Sequence, residues 1–440
     1  MKRLMLLMIV FCFGCILLAQ STISLEEAIE MARENNLSLQ SSFFQMESAR
    51  WAYQNSRTQF MPKINFVYTG IVLDQEIESF GMVLQDKQNH VTSLQVEQTL
   101  FAGGRVYNAN QMSRLQYEMS QNDYQKMQLE TDSRVTENYY ALLRTSSTIN
   151  IMEHNLSLCN DLKENTEILF RNGIGVETDV MQWELTIIEI ENQLNALNNA
   201  FETQLQGWAL ILGIEDIYNI PVPEYKAVDD TMLEIREFAM LDNSIKSLRM
   251  NDFLTRVQQG NFDLINLGMT QETLQYSRRM SRADFMPSVF ASFSSELSND
   301  TRIDQIRFLR DPSWQVMVNV SIPLFHSFRN ITNYRANEYQ VMAQNRNLEE
   351  GTRGIEIQAR QAWLDFDSSV NNVLQNEKHQ NLAERSLEAT RNLYQQGMTT
   401  NVALTDAQNS AMASAVQYIN SIHDYINAKN RLNNMIGGNQ

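Results

Sequence analysis

The side chains best suited to metal binding or acid–base work are few and dispersed. His90, His154, His326, His379 and His423 are spread along 440 residues. None lies in a ligand spacing such as His-Glu-x-x-His, which puts two imidazoles on one helical face. His154 and Cys159 stand five residues apart, a poor geometry for joint ligation on a helix. Cys12 and Cys15 fall in an N-terminal apolar segment, so Cys159 has no intrachain disulfide partner once that segment is removed. Gly103-Gly104 follows a strand pattern and opens a helix, but the Gly-Lys-Ser/Thr ending of a phosphate loop is missing. A tight turn feeding a helix is the better reading of that pair. The 23 methionines are scattered, which favours packing over a copper or silver role. No catalytic constellation remains, and the expectation is a protein that is not an enzyme and holds no cofactor or metal.

Composition narrows the class. The formal net charge is −17, or −19 without Lys2 and Arg3, which argues against a nucleic-acid partner. Lys2 and Arg3, the apolar run Leu4 to Leu18 and the small residue Ala19 read as a secretory signal over 1–19, cut after Ala19. Phe13-Gly14-Cys15 resembles a lipoprotein box, but the apolar run continues past Cys15. Beyond the signal no apolar stretch reaches the length of a transmembrane helix, so any membrane contact must be made by a β-barrel.

An internal repeat organises the rest. Phe60-Met61-Pro62-Lys63-Ile64 returns as Phe285-Met286-Pro287-Ser288-Val289, Thr99-Leu100-Phe101 as Pro323-Leu324-Phe325, and Leu169-Phe170-Arg171-Asn172-Gly173 as Leu393-Tyr394-Gln395-Gln396-Gly397. The offset is 224 or 225 each time. The expected organisation is a first structural repeat over 20–212, a connector over 213–242 rich in acids and holding Pro221 and Pro223, and a second repeat over 243–440.

Within each repeat the hydrophobic period changes in one order. A helical stripe from Leu25 to Phe60 ends before Pro62, because the residue before a proline avoids the helical region. Two alternating runs follow, at Ile64–Gly70 and Leu94–Leu100, around a polar insert at 74–91. The second repeat holds Val289–Leu297, a charged insert at 298–311, and Trp314–Pro323, with Pro287 at the strand entry. Arg105–Phe170 then runs 66 residues without proline or glycine, roughly 100 Å as a helix. Its apolar residues form a narrow seam with polar flanks, suited to coiled-coil packing. Asn172-Gly173-Ile174-Gly175 breaks it, and a return helix is expected over about 178–212. The second copy predicts a helix over about 330–396, a break at Gly397, and a return to about Ile436.

The fold class expected is therefore α+β, mainly long α-helices, with four short strands per protomer. Four strands in lipid would leave two open edges, which association of protomers removes. Phe66, Tyr68, Phe290, Phe293 and Trp314 stand where interfacial aromatics would sit. The competing expectation is a periplasmic coiled-coil adaptor or structural protein without a pore.

The order of elements and the short motifs resemble the TolC-like outer membrane factor family. Ser24-Leu25-Glu26-Glu27-Ala28-Ile29 followed by Asn35-Asn36-Leu37-Ser38-Leu39, the two Phe-x-Pro motifs, Leu-Phe-x-Gly-Gly and the Tyr-x-x-Gly break carry the likeness. The resemblance implies a homotrimer with a twelve-stranded transmembrane β-barrel and a periplasmic α-barrel, working with an inner-membrane pump and a periplasmic adaptor. It also implies a gate near the helix breaks. Tyr394 and Asp179, with Thr178, match a tie between helix pairs, and Asp406 matches one acidic position of the narrowest passage. Thr399 stands where a basic tie residue is expected, and Ala403 where a second acid is expected.

Overall fold

The computed structural model describes residues 22–80, 82–173, 175–215, 220–224, 229–300, 313–325 and 327–437. The signal segment with Cys15, Ile174 of the first break, His326 and most of the second charged insert lie outside the described residues.

The described residues start with a two-residue strand, β1 (Thr22–Ile23), and two helices, α1 (Leu25–Asn35) and α2 (Leu37–Thr58). Strand β2 (Lys63–Val72), a small hairpin of β3 (Ile77–Ser79) and β4 (Met82–Gln85), and β5 (Gln88–Ala102) lead into the long helix α3 (Arg105–Arg171) and its return α4 (Glu177–Leu212). A second short strand, β6 (Val222–Pro223), and α5 (Asp229–Ala239) lie in the connector. Then α6 (Asn243–Gly260), α7 (Phe262–Ala283), β7 (Ser288–Asp300), β8 (Ser313–Ser321), α8 (Arg329–Gln395) and α9 (Asn401–Ile436) repeat the pattern.

Two expectations are corrected, and the connector gains an element. The single helix drawn from Leu25 to Phe60 is two helices. Asn36, extended at φ −66° and ψ 119°, separates them, and Asn261 at φ −67° and ψ 120° does the same between α6 and α7. The polar insert at 74–91 contains the β3–β4 hairpin and the first turns of β5, which has 15 residues. The connector carries an 11-residue helix.

Both breaks are anchored alike. The Asn36 side chain donates from Nδ2 to the carbonyl of Ile211, near the end of α4, at 2.9 Å. Asn261 donates to the carbonyl of Met435, near the end of α9, at 3.2 Å. Each return helix ends on a glycine packed against the break. Gly213 has φ +71°, and a Cβ there would lie 2.4 Å from the Asn35 carbonyl oxygen. At Gly437, φ is +78°, and a Cβ would overlap the Gly260 carbonyl oxygen. The duplicated sequence thus specifies a duplicated joint: an asparagine turns the chain, and a glycine lets it pass.

The chain divides into two compact units, each built from both repeats. The first comprises the described parts of Met1–Ser42, Tyr124–Phe262 and Gly354–Gln440. Three apolar clusters hold it. Ala28, Ala32, Val135, Tyr139, Trp208 and Leu212 join α1, α3 and α4. Ile235, Val257, Phe366, Val370 and Tyr425 join α5, α6, α8 and α9. Cys159, Leu162, Trp183, Ile190 and Leu404 form the third. The connector is sewn in by parallel pairing of β1 with β6, by the Trp208 indole donating to the Pro221 carbonyl at 3.0 Å, and by the Tyr139 hydroxyl donating to the Glu224 carbonyl at 3.0 Å. Burial pushes the Tyr139 phenol up to about 12, so it stays a donor. Cys159 is free and fully buried, with its thiol pushed up to about 11 by desolvation; it is packing, not a nucleophile.

The second unit comprises Phe43–Asp123 and Asp263–Arg353. Its centre is an antiparallel four-stranded sheet in the order β2-β5-β7-β8, with bulges in β5 against β7. The helix that enters the sheet is clasped to the helix that leaves it in the same way in both repeats. Asn110 donates to Ser56 Oγ at 2.8 Å, and Asn337 donates to Ser281 Oγ at 2.7 Å. Gly103 and Gly104, at φ +59° and +82°, turn β5 into α3 beside Ala283 and Met286.

The helix-end glycines separate strain from contact. Gly173→Ala, where φ is +76° and nothing lies within 4 Å of the new methyl, should lower stability by only the ~1–2 kcal/mol of a left-handed L-residue. Gly213→Ala should cost clearly more, because a backbone carbonyl blocks the methyl. Thermal unfolding of the two variants checks this; equal shifts would show that the joint has room.

Candidate functional site

Two regions carry functional chemistry, and each lies within one unit. The first is the sheet. Cross-strand register puts Ile64, Phe66 and Tyr68 of β2 on the same face as Leu94 and Val96 of β5. That face continues through Val289, Ala291 and Phe293 of β7 to Val316, Val318 and Val320 of β8. The opposite face carries Asn65, Gln95, Glu97, Ser292, Ser294, Gln315 and Asn319. Thr92, Gln98, Ser295 and Ser298 are polar exceptions on the apolar face, and Val67, Ile71, Val91, Phe290 and Met317 are apolar exceptions on the polar one. Every residue of β8 is exposed in the single chain, Trp314 at 71%. Strands β2 and β8 are edges with unpaired backbone groups. Of the aromatics singled out from sequence, Phe66, Tyr68, Phe293 and Trp314 belong to the apolar face, and Phe290 does not. Apart from these positions, the alternation is the pattern of a strand with lipid on one side and water on the other.

The second region is the pair of helix breaks in the first unit. Gly173 and Gly397 take φ +76° and +72°. The Gly397 amide donates to the Tyr394 carbonyl and the Met398 amide to that of Leu393, both at 2.9 Å, a Schellman end. The Gly175 amide donates to Leu169. Asp179 sits in the first turn of α4, where the helix dipole favours an acid. Asp406 is exposed on α9, and Thr178 is exposed beside Asp179.

The structure brings Tyr394 and Asp179 to the same end of the helices but does not bond them. The Tyr394 hydroxyl lies 3.4 Å from Thr166 Oγ1 on α3. The carbonyl of Asp179 instead accepts from Nδ2 of Asn401 at 3.3 Å. Sequence reasoning missed Thr166 and Asn401. Asn401 is 4% exposed and follows the N-cap Thr400, whose hydroxyl accepts from the Ala403 amide. An amide buried at a helix start where solvent is expected is the signal that could have been read. Lys163 bridges Glu167 on its own helix and Glu184 on α4, and the Glu184 carboxylate raises its pKa.

Within the first unit, α3, α8 and α9 leave a cleft of about 780 Å³, lined by Tyr140, Arg144, His154, Gln408, Tyr418 and His423 among others. Among the described residues no group of three His, Cys, Asp or Glu could hold a metal ion, and no helix is long and apolar enough to cross a membrane.

An apolar-faced sheet with two open edges, joined to helices too polar for lipid, is the build of an outer-membrane duct component. The model of the outer membrane efflux protein family matches residues 28–213 and 254–438; the chain belongs to that family, a family of outer-membrane efflux ducts. It is 20% identical to outer membrane protein TolC of Vibrio cholerae, across 99% of this chain and 96% of that protein. Its fold is similar to a membrane protein from Pseudomonas aeruginosa, with TM-score 0.82 and 16% identity over 94% of this chain and 90% of that one. It is also similar to the CmeC outer membrane channel of Campylobacter jejuni, with TM-score 0.78 and 15% identity over 94% and 85%.

His423 yields a pH prediction. Burial, and then the Arg144 guanidinium, lower its pKa, opposed by the neighbouring Asp424 and by the backbone of Glu137. A depressed imidazole means that the unfolded chain takes up its proton first, so stability present above pH ~6.5 is lost as pH falls through the folded value. Acidification from about pH 7 to 5 should lower the melting temperature of the wild type more than that of His423→Gln. Parallel pH profiles would show that the imidazole is not the sensor.

Proposed function

We propose that three copies of this chain close their sheets into a twelve-stranded barrel in the outer membrane, and that their long helices line a periplasmic duct. Substrates received from an inner-membrane pump through a periplasmic adaptor would pass along it without energy input at this protein. The observation that carries the reading is the sheet: an apolar face bounded by two open edges. Each backbone group left unpaired in hydrocarbon costs several kcal/mol, so β2 and β8 need partners, and identical neighbours supply them. A coiled-coil adaptor has no use for such a face.

The face assignment is testable by two adjacent substitutions. Val318→Arg puts a guanidinium into lipid, at ~2–4 kcal/mol near the bilayer midplane, and should abolish recovery of cross-linked trimer from outer-membrane fractions. Asn319→Arg points the other way and should leave it intact. Equal behaviour of the two, or recovery of the wild type as a soluble monomer, would sink the barrel.

The gate belongs to the same proposal. A phenol donating to a carboxylate is a charge-assisted bond suited to a reversible latch. Tyr394 and Asp179, with Thr178, are assigned to that latch, the phenol exchanging Thr166 for Asp179 as the helices move. Asp406, exposed on α9, is assigned to the pore constriction. In planar bilayers the wild type should show a small conductance that rises in Tyr394→Phe and in Asp179→Ala. Unchanged conductance in both removes the latch and leaves the channel standing.

A further inference from the structure

The repeat preserves more than joints and strands. Arg57, at the end of α2, and Arg282, at the end of α7, stand 225 residues apart in equivalent places. Arg105 and Arg329, the first residues of α3 and α8, stand 224 apart. All four flank the same end of the sheet in the second unit, and all four are exposed. Beside them, duplicated in the same way, are exposed aromatics: Phe60 with Phe285, and Phe101 with Phe325.

The local charge is opposite to that of the chain. The formal net charge overall is −17, yet residues 55–63, 100–110, 280–287 and 325–335 contain Asp284 as their one carboxylate. Asp284 is taken by Arg105. Arg282 donates to the Tyr334 hydroxyl at 3.0 Å and lies over that ring. Among the described residues neither Arg57 nor Arg329 has an acidic partner.

We propose that this arginine belt binds the phosphate headgroups of anionic phospholipids in the leaflet where the sheet gives way to helices. The inference rests on the membrane-embedded sheet proposed above. The chemistry is direct. A guanidinium presents a planar fork of donors to phosphate oxygens. Its stem lies along apolar surface while its head reaches the headgroup layer, and the aromatics mark the same depth. Arginine recurs at two positions in two halves that have otherwise diverged, in surroundings almost free of acid. Surface solubility in an acidic chain gives no reason for that.

The test is lipid selectivity of the full-length protein reconstituted in phosphatidylcholine bilayers, read with spin-labelled phosphatidylglycerol and spin-labelled phosphatidylcholine. The wild type should restrain the phosphatidylglycerol label severalfold more strongly, about fivefold if one arginine holds one headgroup. The preference should fall toward unity in about 0.5 M NaCl and in the triple variant R57Q/R282Q/R329Q. It should persist in R57K/R282K/R329K, which keeps the charge. Equal restraint of both labels by the wild type, or a preference untouched by salt and by the glutamine variant, overturns the lipid assignment alone. Restraint of neither label means that the sheet is not in the bilayer, and both readings fall together.

Discussion

The constraint on which the rest depends is the hydrogen-bonding demand of a peptide backbone without water. Strands β5 and β7 satisfy one another and their neighbours, while β2 and β8 each leave one ladder open. In solution those edges could be hydrated, but the face they bound is apolar across all four strands. The two facts conflict in a lone chain, and the proposed barrel reconciles them with lipid on one side and further strands at both edges. The long helices meet the opposite condition. Their narrow seams and polar flanks demand water, so sheet and helices call for different solvents. The short junction between them, where Arg105 holds Asp284 and Asn110 and Asn337 hold Ser56 and Ser281, has to serve both.

The duplication shows which interactions the architecture cannot vary. Sequence similarity between the halves is confined to short motifs, yet the asparagine breaks at Asn36 and Asn261 share backbone angles to within a degree and bond to equivalent carbonyls. Surface composition has drifted around these joints. At the helix breaks the halves differ in chemistry. Asp179 opens α4 with an acid at the helix N-terminus, whereas α9 opens on a threonine cap and the buried amide of Asn401.

Much of this was legible in the sequence because the signals were periodic and repeated. The long helices fell within one residue of their expected starts and ends at Arg105, Arg171, Arg329 and Gln395, since glycine and proline mark such boundaries sharply. Strand positions followed from alternation. The break at Asn36 was missed because the helical stripe continues through it; an asparagine that turns the chain is visible only with its tertiary partner, the Ile211 carbonyl. The length of β5 was underestimated because His90 and Ser93 are polar yet buried, which defeats a pattern based on polarity. At the helix breaks, Tyr394 and Asp179 could be placed near one another, but the partners they have here, Thr166 and Asn401, depend on how helices rotate about their seams. No single-helix pattern encodes that rotation.

The interleaving of the two repeats bears on biogenesis. Neither compact unit is contiguous: the first draws on both chain ends, and the second takes Asp263–Arg353 to complete what Phe43–Asp123 begins. An N-terminal half can assemble the cluster that joins α1, α3 and α4, which draws on residues no later than Ile220, but it completes neither compact unit. The sheet, by contrast, stays at two strands, with β5 lacking its β7 neighbour, until the second repeat has been delivered. Closure of such distant pairings is slow and open to aggregation, so the open edge of β5 is the part of a half-delivered chain most exposed to wrong partners.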